Sequence, residues 1–245
     1  MKLSKILGIL LLAFTPLLNS CSEENETPVT PSINQNFNLT SATATYNDDL
    51  EQIEMTVSVA GIAGETIPKP IGKQDGATVL GYVFPTDLNS NDVGFGDTEG
   101  IVAMALTSHP DFDDTPLWDE NNDRNYKNDG AVWHSHWVLL VNDSRVEGGL
   151  SVKEFKDGDL NVQLPPTNPG MKMYMDSPGY QVVKNKNSMT VVIPKAFVNN
   201  KTTFKFDAVS ARMKVNTSKS NLPLLGVYEV YEILSGNLSM PYQVQ

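Results

Sequence analysis

Apolar residues recur at every second position along most of this chain. Ile53, Met55, Val57 and Val59 alternate with Glu54, Thr56 and Ser58 and stop at Gly61, the pattern of a strand with one buried face. Phe204, Phe206 and Ala208 alternate in the same way with Lys205, Asp207 and Val209. Val79–Phe84, Ile101–Leu106, Met189–Ile193 and Val227–Ile233 are short apolar runs set between Gly, Pro, Ser and Asn, and their length suits strands rather than helices. No window carries a sustained helical stripe with caps. Many short strands joined by turn-rich loops predict an all-β sandwich.

The first twenty residues stand outside that pattern. Lys2 and Lys5 precede an apolar run from Ile6 to Leu18, too short to span a bilayer and flanked as a signal peptide is. Leu18-Asn19-Ser20-Cys21 follows, and Cys21 is the single cysteine of the chain. This stretch resembles the lipobox of bacterial lipoproteins, with Asn19 a departure at its middle position. The resemblance implies cleavage before Cys21, lipid on its sulfur, and no thiol left for a disulfide, catalysis or metal binding. Ser22-Glu23-Glu24-Asn25-Glu26 resembles the acidic export signal of lipoproteins displayed on the outer surface of some Gram-negative bacteria; a solvated linker is the alternative. The expected organisation is a signal peptide at 1–20, a lipidated cysteine and Pro-containing linker at 21–38, and one domain at 39–245. Its expected place is the outer membrane, at the cell surface or facing the periplasm. The formal charge is −11, and −13 once Lys2 and Lys5 are removed. So acidic a chain disfavours nucleic acid as a partner and favours cations.

Val191–Val198 and Thr203–Val209, V-V-I-P-K-A-F-V and T-F-K-F-D-A-V, resemble the closing strands of DOMON and family-9 carbohydrate-binding-module sandwiches. That likeness implies a ligand-binding sandwich, and the expected fold is a single immunoglobulin-like or DOMON-like β-sandwich with long loops.

Between His109 and Trp137 the chain gathers all three of its histidines (His109, His134, His136) and all three tryptophans (Trp118, Trp133, Trp137). Seven acids lie there against Arg124 and Lys127. In A-V-W-H-S-H-W-V-L-L-V, alternation puts His134 and His136 on one strand face with Val132, Val138 and Leu140, and Trp133, Ser135 and Trp137 on the other. Two imidazoles so spaced can grip one ion, and His109 would make a three-nitrogen site for zinc or copper. Asp111 and Asp113 are the expected fourth ligand or supporting partners. Satisfied, partly buried histidines are the plainer alternative.

Asp119, Asn121 and Asp123, with Asp129, have alternating oxygens suited to calcium, although Arg124 stands where an EF-hand needs Gly. Asp87, Asn89 and Asn91 repeat the spacing, and ion-free Asx turns explain both equally. Met171, Met173 and Met175 alternate in G-M-K-M-Y-M. They are either a core face or a soft-metal set resembling those of periplasmic copper-handling proteins. The first functional expectation is thus a lipid-anchored metal-binding protein, with Asp113 as base if metal-bound water is put to catalysis. The others are a glycan binder using its tryptophans and calcium, and a Met/His haem domain without covalent attachment.

Overall fold

The computed structural model describes residues 34–114, 119, 124, 129–159 and 161–245. The signal peptide, Cys21, the stretch to residue 33, Trp118, Asn121 and Asp123 lie outside the described residues. The elements below belong to one unit, Ile33–Gln245.

The fold is all-β, as the alternation predicts. Twelve strands occur among the described residues: β1 (Leu39–Asn47), β2 (Gln52–Val59), β3 (Thr78–Pro85), β4 (Ile101–Ser108), β5 (His134–Asn142), β6 (Leu150–Val152), β7 (Val182–Asn185), β8 (Ser188–Pro194), β9 (Lys205–Phe206), β10 (Val209–Val215), β11 (Leu225–Ile233) and β12 (Tyr242–Gln243). One layer is a four-stranded sheet in the order β1-β2-β8-β7. The other closes on itself as a six-stranded barrel, β10-β11-β6-β5-β4-β3. The closing seam is antiparallel pairing of β3 with β10, from Val83 opposite Val209 to Thr78 opposite Lys214.

Two apolar cores result. The sheet turns Ile53, Met55, Val57, Met189, Val191 and Ile193 onto the outside of the barrel. There they meet Tyr82, Phe84, Met104, Leu106, Trp137 and Leu139. The other parity of the same barrel strands, including Val79, Val83, Ala103, Ala105, Val138 and Leu140, points inward as the second core. Strands β3, β4 and β5 are therefore buried on both faces, which is why they read as continuous apolar runs and β2 as an alternation. Each buried Val, Leu, Ile, Met or Phe among them contributes about 1.5–3 kcal/mol by leaving water.

Register shifts between Ser210 and Ala211 and between Arg212 and Met213 interrupt the β10–β11 ladder. Bulges of this kind sharpen the bend of a strand pair and re-aim its side chains. Here they let Val227 and Val230, three apart in the chain, both face the barrel lumen.

Candidate metal centre

Strand β5 delivers two of the three imidazoles. His134 pairs across the ladder with Thr107, and His136 with Ala105. His109 follows directly on the end of β4, where its amide donates to the Gly130 carbonyl at 2.7 Å. A tight turn then brings Asp114 back over the same point. His109, Asp114, His134 and His136 are all buried, and one donor atom from each lies within 4.8 Å of the rest.

The donor atoms are Nε2 of each histidine and Oδ1 of the aspartate. His134 Nε2 is 2.8 Å from His109 Nε2 and 3.2 Å from Asp114 Oδ1. Asp114 Oδ1 is 3.3 Å from His109 Nε2 and 3.7 Å from His136 Nε2. A tetrahedral ion with bonds of about 2.0–2.1 Å sets donor–donor edges of about 3.3 Å, which these distances bracket.

The far side of each ring determines its tautomer. His109 Nδ1 faces the Phe112 carbonyl at 3.1 Å, His134 Nδ1 the Val132 carbonyl at 2.7 Å, and His136 Nδ1 the Asp176 carbonyl at 2.7 Å. Ser177 Oγ is also 3.0 Å from His136 Nδ1. A carbonyl only accepts, so each Nδ1 carries the proton and each neutral ring presents its Nε2 lone pair to the centre. Three lone pairs and a carboxylate oxygen thus converge in a water-poor pocket. Such an arrangement calls for a positive charge, either a proton or a metal ion.

Electrostatics within the cluster agree. Burial pushes His136 down to about 4, with the Asp114 carboxylate only partly opposing it. Burial also acts to lower His109, but the adjacent Asp114 carboxylate outweighs it and raises that imidazole above its ordinary value. Asp114 itself is held well below the usual carboxylate range, because the His109 and His136 rings override its desolvation. Phe112 lies flat on the His109 ring, with centroids 4.1 Å apart and planes 8° apart.

Not all of the expected site residues arrive here. Asp111 turns away, its Oδ1 accepting from the Ile71 and Gly72 amides at 2.7 and 2.6 Å. Asp113 contributes no donor atom to the cluster; Asp114 takes the place expected of these two acids. Val132, expected on the histidine face, is exposed. Met171, Met173 and Met175 do line the cavity that His109, Asp114 and His136 border, but the nitrogen and oxygen set is complete without their sulfurs. Asp119 accepts from the Arg124 amide and Asp129 is buried beside Gly130, with the other two expected calcium ligands outside the described residues. In the second Asx loop, Asp87 accepts from the Lys205 amide.

The two tryptophans among the described residues are structural. Trp133 stacks on Tyr82 at 4.8 Å and donates to the Gly64 carbonyl at 3.0 Å. Trp137 is wholly buried and its indole N–H points to the Tyr180 hydroxyl. Neither offers a face to a sugar ring, and Trp118, the third member of the expected glycan platform, lies outside the described residues. The lumen of about 110 Å³ is smaller than the ~150 Å³ that holds one benzene, so a porphyrin is excluded from it. No family model matches the chain, and neither a curated protein nor a solved structure is significantly similar to it.

Proposed function

We propose that this is a metal-binding protein whose centre is His109, His134, His136 and Asp114, holding one divalent transition ion. The carrying observation is the set of three Nδ1–carbonyl contacts, which aim three Nε2 lone pairs at one carboxylate oxygen. Neutral imidazole and carboxylate donors suit zinc and copper(II). The four donor edges given above, 2.8 to 3.7 Å, favour zinc, because any planar copper arrangement would make at least one of them a longer trans separation. The lipobox-like Leu18–Cys21 and the acidic residues after it support a lipid-anchored protein of the outer membrane, its domain displayed at the surface.

Elemental analysis of protein purified without a histidine tag tests the metal assignment. One zinc or copper per chain, lost in His136→Ala and Asp114→Ala, is the expected result. A wild-type protein that takes up neither metal, or variants that retain it in full, would overturn the assignment.

A further inference from the structure

The metal centre is one patch of a longer wall. His109, Asp114 and His136 border the lumen of the barrel, a cavity of about 110 Å³. Apart from those three, Thr107 is the only polar side chain on that wall among the described residues. Thr107 stands two positions before His109 and directly across the ladder from His134. It is 5 % exposed, and its Oγ1 has no hydrogen-bond partner among the described residues. A buried hydroxyl left unpaired beside a metal centre is expensive, and native proteins keep such groups for a ligand or an ordered water.

Everything else on the wall is apolar, and three of its side chains are Met171, Met173 and Met175. Methionines adapt to the shape of what they enclose. An apolar cavity of about 150 Å³ takes a benzene ring, so this smaller one of about 110 Å³ fits a chain of about four carbons. A divalent ion held by three neutral imidazoles and one carboxylate keeps one uncompensated positive charge in apolar surroundings, and an anionic oxygen would relieve it.

We propose that the barrel lumen is a binding site for a small apolar monocarboxylate, its hydrocarbon among the methionines and its carboxylate shared between the metal ion and the Thr107 hydroxyl. The ligand adds a fifth donor to the ion and supplies the acceptor Thr107 lacks. This rests on the metal reading above and gives that site its ligand class.

The test uses the full chain loaded with cobalt(II), whose visible bands report a new oxygen ligand. Cobalt content is measured first; no uptake overturns the metal reading itself. With one cobalt bound, pentanoate should shift the bands, at least tenfold more tightly than acetate does. Thr107→Val should weaken pentanoate about tenfold with cobalt content unchanged. Ala105→Leu and Ala211→Leu fill the lumen from different strands, and whichever keeps full cobalt should lose pentanoate binding. Three outcomes overturn the proposal while leaving the metal centre standing: bands that pentanoate does not move, 1-pentanol matching pentanoate, or Thr107→Val binding pentanoate as the wild type does.

Discussion

Gly130 is where the loop after β4 presses on the metal centre, and its replacement by alanine separates two costs. Its φ is +97°, a region in which a Cβ is disfavoured, by about 1–2 kcal/mol on the scale of left-handed backbone. The added methyl would also lie 2.5 Å from the Phe112 carbonyl oxygen, 2.6 Å from that of His109 and 3.1 Å from His109 Nδ1. Two of these neighbours are backbone, so the turn carrying His109 must move, at a further cost of about 1–3 kcal/mol. Gly149 supplies the control: its φ is +72° and nothing lies within 4 Å of its Cβ position. Gly149→Ala should cost only about 1–2 kcal/mol and leave metal affinity alone. Gly130→Ala should cost about 2–5 kcal/mol, lowering Tm by roughly 2–4 °C for each kcal/mol. It should also weaken zinc at least tenfold, because His109 leaves its place. Thermal unfolding in excess chelator reads the fold cost, and competition with a chromophoric chelator reads the affinity. Equal Tm losses in the two variants, or wild-type zinc affinity in Gly130→Ala, would refute the reasoning.

Among the neighbouring acids only Asp114 donates to the cluster, so Asp114→Asn should weaken zinc about 100-fold. Asp113→Asn and Asp111→Asn should each stay within about threefold in the same competition titration. Tyr82, buried between sheet and barrel, donates to the Asn36 carbonyl at 2.6 Å and accepts from the Gly64 amide at 3.2 Å. Tyr82→Phe should therefore destabilise by about 1–3 kcal/mol in urea unfolding without touching metal content. Asp143 is held down at about 2, chiefly by the Arg145 hydrogen bond. With a folded pKa below the unfolded value, its contribution is full above about pH 4 and lost as pH falls towards 2. Because Arg145 is partly exposed the contribution is about 1 kcal/mol, and Asp143→Asn should flatten that part of the stability–pH curve by that amount.

Periodicity made the strand class and the facing of β5 legible. His134 and His136 share a face with Val138 and Leu140, opposite Trp133 and Trp137, because a strand alternates without exception over so short a run. Nearness in sequence misled at the acids. Asp111 and Asp113 lie closest to His109 along the chain, yet the chain turns directly after His109, where Phe112 folds back onto its ring. That turn brings Asp114 to the centre instead. Nothing local marks that turn beyond Pro110. Thr107, by contrast, lies within β4 at His109 minus two, and parity could have found it. Closure of the barrel rests on pairing between β3 and β10, over a hundred residues apart; inward and outward faces are both apolar there, so the sequence does not distinguish lumen from core. The three methionines illustrate this, since a wall and a packed interior ask for the same side chains.

X-ray absorption at the zinc edge addresses the central claim most directly. A first shell of four light donors at about 2.0–2.1 Å, with the outer-shell scattering of three imidazoles, is the predicted spectrum; a fifth light donor is added when carboxylate is present. A sulfur scatterer at about 2.3 Å, or fewer than three imidazoles around the ion, would contradict the centre described.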